Sequence, residues 1–227
     1  MDVSTIDYIN GYIVTDKYIY YLGYYAEKKI TTLYQYDLST GTSRRLLDTP
    51  CPDIQLGNRS IYFSGDEGRF YEYNLDTKKI SAIDLSGYPL ELRQHRFHYY
   101  WNERLYFIGY VDSEVTFQTF GYYDLKTKQC VNITTNQELM EAGAVDDEIS
   151  GYYILGKDHY YVETFGPGYP CHPSISEIKN GTIISVETRK DIDFVNYTHF
   201  LVDGRKVCSN WQNKIYGYNE LTNSIKN

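Results

Sequence analysis

The sequence predicts an all-β protein built from about five units of four antiparallel strands, and three observations predict it. A ten-residue phrase recurs: "TLYQYDLSTG" at 32–41, "RFYEYNLDTK" at 69–78, "TFGYYDLKTK" at 119–128 and, weaker, "KIYGYNELTN" at 214–223. Short turn signals recur ahead of each copy. The aromatic fraction of 17% comes mostly from 27 tyrosines in 227 residues, and tyrosine favours half-buried strand positions.

The phrase itself reads as a strand and a turn. In "LYQYDL" Leu33, Gln35 and Asp37 fall on one face and Tyr34, Tyr36 and Leu38 on the other, the period of a strand, and the tyrosine face is expected to be the packed one. "STGT" then makes a hairpin loop in which Gly41 supplies a positive φ. Lys78, Lys128 and Asn223 hold the equivalent positions, where lysine accepts that conformation at a cost of roughly 1 kcal/mol.

The turn signals are "TDK" (15–17), "GNRS" (57–60), "WNER" (101–104), "GKDH" (156–159) and "VDGR" (202–205), each separating two strand-like runs. Each hairpin is followed by a third and a fourth strand, the third strand of the fourth unit being degraded to "SISEIKNG". The period of roughly 37 to 55 residues suits propeller blades. One open sheet of so many strands would twist severely, whereas radial packing covers both faces of every small sheet. The expectation is therefore one β-propeller domain over 1–227, with blades at about 8–48, 49–86, 92–135, 146–190 and 193–227. Residues 2–7 are expected to pair with the last blade and close the ring, because "SIKN" is too short for its outer strand. The irregular fourth unit and the clipped fifth leave room for a ring completed by further sequence or by a partner within a larger assembly.

The pattern "LY-x-YDL-x-TG", preceded by strands such as "IYYLG" or "IYFSG", resembles the blade repeats of bacterial β-propellers of the kelch-like and quinoprotein-like kinds, over essentially the whole sequence. The kelch double glycine is absent, as are the tryptophans that dock a quinone, so no cofactor is implied. Such a fold hosts unrelated activities.

Composition narrows the classes. A net charge of −8 without a basic cluster argues against nucleic acid. No run of about 18 apolar residues occurs, so no membrane span is expected. The first fifteen residues have neither a basic start nor an apolar core, which predicts a cytoplasmic protein if that start is native and an extracellular one if the protein is a processed form. Cys51, Cys130, Cys171 and Cys208 lie far apart with no C-x-x-C pair and read as ordinary reduced thiols. Four N-x-S/T triplets begin at Asn58, Asn132, Asn180 and Asn196.

The loops that do not repeat are the candidate binding surface. The second-to-third strand loops and the blade-to-blade connections share one rim, which brings Tyr24, Tyr25, Tyr110, Phe165, Tyr169, His172 and Trp211 to one side. Aromatic platforms edged by carboxylates suit a protein or glycan ligand. The stiffest loop is "FGPGYPCHP", where His172 could serve as a polar contact or a proton-transfer group. His95 and His98 sit three apart in a strand, on opposite faces, and so make no metal pair. A second reading is a glycoside hydrolase or lyase using carboxylates at the central pocket, with Asp53, Asp147, Glu148 and Asp193 at the blade connections and Asp7 near the first inner strand. No nucleophile elbow, phosphate loop or zinc motif occurs, and no catalytic residue is assigned. The preferred class is a non-catalytic binding module.

Overall fold

The computed structural model describes residues 6–25, 28–47, 50–51, 54–65, 69–92, 94–111, 117–145, 147–165, 174–188, 197–202, 205–210 and 215–217. At 6–8, 10, 94–98, 165 and throughout 197–217 it describes the backbone alone. The protein divides into two compact units, residues 1–133 and 134–227.

The first unit holds three four-stranded antiparallel meanders. The first sheet is β1 (Ile6–Val14), β2 (Tyr18–Tyr25), β3 (Ile30–Asp37) and β4 (Thr42–Arg45). The second is β5 (Ile54–Leu56), β6 (Ser60–Ser64), β7 (Phe70–Asn74) and β8 (Ile80–Ala82). The third is β9 (Gln94–Trp101), β10 (Arg104–Tyr110), β11 (Gln118–Asp124) and β12 (Gln129–Thr135), whose last residues pass into the second unit.

The second unit opens with a short helix, α1 (Asn136–Glu141). Thr135 and Glu138 close a capping box at its start, Thr135 N–H donating to Glu138 Oε2 at 2.7 Å and Glu138 N–H to Thr135 Oγ1 at 3.2 Å. A fourth meander follows, β13 (Glu148–Gly156), β14 (His159–Phe165), β15 (Ser174–Lys179) and β16 (Thr182–Thr188). The last sheet has three described strands, β17 (Tyr197–Val202), β18 (Arg205–Asn210) and β19 (Ile215–Gly217).

All five hairpins expected from the turn signals therefore form. Ile6 pairs with Tyr25 in the first sheet, so the segment expected to close a ring gives that residue to β1 instead. Residues 2–5 and 218–227, on which closure depends, lie outside the described residues.

The recurring phrase owes its form to one turn built three times. Asp37 Oδ1 accepts from Ser39 N–H at 2.8 Å and Thr40 N–H at 3.2 Å, Asn74 Oδ1 from Asp76 and Thr77 N–H, and Asp124 Oδ1 from Lys126 and Thr127 N–H. The residue four further on then turns left-handed, with φ of 68° at Gly41, 59° at Lys78 and 60° at Lys128, and its N–H donates back to the carbonyl of the Asp or Asn. The leucine between them ties the turn to the hairpin of its own sheet: Leu38 N–H donates to Lys17 O, Leu75 to Arg59 O and Leu125 to Glu103 O. The degraded fourth copy replaces this device with a two-residue turn, Asn180 and Gly181, both at positive φ.

Packing corrects the expectation that only the tyrosine face is buried. In β3 Leu33 is fully buried and Tyr34 is 7% exposed, although they point to opposite faces. Tyr20, Leu22 and Leu33 leave the first sheet on one face and meet Ile61, Phe63 and Tyr73 of the second in one cluster. The second sheet sends Tyr62 and Phe70 off its other face against Leu105, Phe107 and Tyr123 of the third. Tyr71 and Tyr73 of the second copy and Tyr123 of the third thus pack backward onto the preceding sheet, and Phe70 of the second copy packs forward onto the next. Burial of one such residue contributes roughly 1.5 to 3 kcal/mol. In the first sheet Leu38 is 47% exposed, whereas its counterparts Leu75 and Leu125 pack into these clusters.

Candidate functional site

The two ends of the first unit differ in kind. Lys78, in the β7–β8 turn, lies over the ring of Tyr18 at 5.1 Å, next to the β1–β2 turn. Gly57, in the β5–β6 turn, lies against the Tyr100 ring beside the β9–β10 turn. The repeated turns of all three sheets therefore share one end, and each satisfies backbone N–H groups through its own Asp or Asn side chain. The opposite end carries the second-to-third strand loops, between Tyr25 and Ile30, between Ser64 and Phe70, and between Tyr110 and Gln118. The sheet-to-sheet connection runs there as well, since Leu46 N–H donates to Leu33 O and Cys51 N–H to Thr31 O at 2.7 Å.

Three of the seven aromatics proposed from the sequence are described at this end. Tyr24 and Tyr25 finish β2 and Tyr110 finishes β10, all half-buried, with exposed Arg69 at the entry to β7 between them in sequence order. The loops they flank are narrow at the base, closed by Gly65 N–H to Arg69 O at 2.9 Å and Val111 N–H to Phe117 O at 2.8 Å. Phe165 ends β14 in the second unit, with its backbone alone described. Tyr169, His172 and Trp211 lie outside the described residues.

Of the four acids of the alternative reading, Asp147 and Glu148 are among the described residues. Asp147 and Glu148 are exposed, the backbone oxygen of Asp147 accepting from Asn136 Nδ2 at 2.6 Å. Asp53 and Asp193 lie outside the described residues, and so do the atoms of Asp7 beyond its backbone. His95 and His98 do fall in a strand, β9, but a bulge at His98 interrupts the alternation on which their opposite placement was argued. Among the described residues no group of three or more His, Cys, Asp or Glu is arranged to hold a metal, and no helix is long and apolar enough to cross a membrane.

Sequence reasoning missed two residues. Glu163 reads as one polar position in the strand "HYYVET", yet it is only 5% exposed. It pairs with Gly151 of β13, where a Cβ would stand 3.3 Å from Glu163 Oε2, so the glycine makes room for the carboxylate. Tyr88 follows the second sheet in a stretch with no strand pattern, and it is buried against Phe107 with ring centres 5.3 Å apart. Neither carries a pattern that would have flagged it.

Burial governs the tyrosine hydroxyls inside the first unit. Desolvation pushes the Tyr62 hydroxyl up to about 12, with Glu72 adding to the shift. The same effect raises Tyr20 and Tyr73, opposed in Tyr20 by the hydrogen bond from Gln35 Nε2 at 2.9 Å. These groups are held neutral inside the sheet stack and offer no proton-transfer chemistry near neutral pH.

Solved structures share this arrangement. The protein superposes on the N-terminal domain of Nup159 with a TM-score of 0.56 at 12% identity, the match covering 93% of the present sequence and 61% of that domain. The β-propeller domain of the Trilobed protease from Pyrococcus furiosus gives 0.56 at 15%, covering 90% and 63%. Ycf48 bound to D1 peptide gives 0.54 at 9%, covering 96% and 67%. The protein thus spans about three fifths of the length of the first two. No protein-family model and no curated protein matches it. Likeness at such low identity establishes the fold: an all-β protein whose four four-stranded antiparallel sheets resemble propeller blades.

Proposed function

We propose that this protein is a non-catalytic binding module that engages a protein partner through the loop-bearing end of its sheets. The observation that carries this is the asymmetry between the ends. At one end each recurring turn satisfies its own backbone groups and is tied to the first hairpin of its own sheet. At the other, the variable loops are framed by the half-buried tyrosines Tyr24, Tyr25 and Tyr110 and by Arg69. Tyrosine and arginine are the residue types that anchor protein interfaces, since they bury large area at low entropic cost. The Ycf48 structure, a likeness in fold, is described as carrying a bound peptide. Five blades, ring closure and the finer resemblance to kelch-like or quinoprotein-like repeats belong to the same proposal.

The test is an affinity capture with the wild type, with Tyr24→Ala/Tyr25→Ala, with Tyr110→Ala and with Tyr169→Ala and Trp211→Ala, run beside a glycan array. Lys126→Ala, in the opposite turn, is the control. Partners lost from the loop-end variants and kept by Lys126→Ala support the reading. Partners kept by every variant overturn it, and a glycan retained by the wild type alone moves the ligand class from protein to carbohydrate.

A further inference from the structure

Asparagine opens three hairpin turns in this protein, and the turns differ in the residue that follows. Asn58 precedes Arg59, Asn102 precedes Glu103 and Asn180 precedes Gly181, and all three asparagines are exposed. Asn102 and Asn180 also share a left-handed backbone, with φ of 49° and 51°. At Asn180, however, the neighbour is a glycine, and nothing lies within 4 Å of the point where a Cβ of Gly181 would stand.

Two further features leave Asn180 open to its own backbone. Among the described residues its carboxamide has no hydrogen-bond partner, while its backbone N–H is occupied by Asp158 O at 2.7 Å. The ladder closes at the pair Lys179 and Thr182, so the Gly181 N–H lies outside it. Gly181 N and Asn180 Cγ are thereby close in sequence, uncrowded and not committed elsewhere.

We propose that Asn180 is a site of spontaneous deamidation. The Gly181 nitrogen, losing its proton to solvent base, attacks Asn180 Cγ. A C–N bond forms, the carboxamide C–N bond breaks, and the amide nitrogen leaves as ammonia after taking up a proton. Water then opens the five-membered imide at either carbonyl, giving aspartate or isoaspartate, so that the sum is one water consumed and one ammonia released. Neither an oxidant nor an enzyme is needed. At Asn58 and Asn102 the larger residues Arg59 and Glu103 crowd the attacking nitrogen. The product places a carboxylate beside Asp158, and the isoaspartate form lengthens the backbone within a two-residue turn, so the β15–β16 hairpin is where the modified protein loosens.

The experiment is ageing of the intact wild-type protein in mildly alkaline buffer, with mass-spectrometric peptide mapping of amide loss at the three asparagines and an isoaspartate-specific methylation assay. The expected result is amide loss and isoaspartate in the Asn180 peptide while the Asn58 and Asn102 peptides keep their amides. Because all three sites are read in one folded sample, no variant has to fold. Retention of the Asn180 amide for as long as those of Asn58 and Asn102 overturns the proposal, as does loss confined to a parallel sample in urea.

Discussion

The Tyr88 hydroxyl stands where a Cβ of residue 121 would begin: such a Cβ on Gly121 would lie 2.4 Å from it and 2.5 Å from the carbonyl of Val131. This explains why the third copy of the phrase reads "TFGYYDL" where the first reads "TLYQYDL". The tyrosine of the strand is replaced by glycine because a tyrosine from the incoming connection fills that space. Tyr88 Oη is held there by Thr119 Oγ1 at 2.7 Å and by Asn132 Oδ1 at 3.0 Å.

Gly121→Ala is therefore expected to destabilise the fold by about 3 kcal/mol, since the obstructing carbonyl is backbone and cannot swing aside. Tyr88→Phe, which removes hydrogen bonds and keeps the ring, should cost about 1 kcal/mol. Urea unfolding of the three proteins measures both. A Gly121→Ala midpoint equal to that of the wild type would show that the connection is not seated as described.

The hairpin between β9 and β10 carries a correctable strain. Asn102 and Glu103 sit at φ of 49° and 59°, and the second of these is a conformation glutamate adopts at a cost. Glu103→Gly should stabilise the protein by about 0.5 to 1 kcal/mol, giving the Asn-Gly pair that such turns favour. Its carbonyl, which accepts from Leu125 N–H, is untouched by the change. Lys128→Gly should gain less, because Lys128 Nζ also lies over the Tyr123 ring at 5.9 Å. Denaturation midpoints would rank the two.

These turns show what the sequence could and could not reveal. The left-handed position at Gly41, Lys78 and Lys128 was legible because a turn constrains one residue locally. The paired burial of Leu33 and Tyr34 was not, because alternation reports two faces without saying that both are covered. Tyr88 and Glu163 lie beyond pattern altogether, since their burial depends on Gly121 and Gly151, glycines of a different strand or segment that make room for them. The candidate site was legible as an end of the sheets, through strand order, but its loops vary with no period to read.

Cys130 should be inert in the native protein. Burial, with Asp84 adding to it, pushes its thiol up to about 11, so little thiolate exists near neutral pH. Cys51 is fully buried. Alkylation by iodoacetamide at about pH 8, near the ordinary thiol range, should leave both unlabelled in buffer and label both in urea. Prompt native labelling of Cys130 would contradict its packing against the cluster between the second and third sheets.

The recurring turn also predicts an acid limb. The Ser39 hydroxyl and backbone N–H hold the Asp37 carboxyl below the usual carboxylate range, and Asp84 is lowered in the same way by Ser86. At Asp124 burial pushes upward, but the hydrogen bonds from Thr127 and Lys126, with Arg104 nearby, outweigh it and the carboxyl is again lowered. A carboxyl whose folded pKa lies below its unfolded value of about 3.9 supports the fold above that pH and ceases to do so as pH falls through the folded value. The second copy of the phrase shows how to remove the effect, because Asn74 builds the same turn with a carboxamide that does not titrate. Asp37→Asn should keep the turn near neutral pH and flatten its share of the stability loss as pH falls below about 4. Urea midpoints for wild type and variant across that range provide the test. An unchanged acid slope in Asp37→Asn would mean that the carboxylate, although hydrogen-bonded in the fold, is held no more tightly there than in the unfolded state.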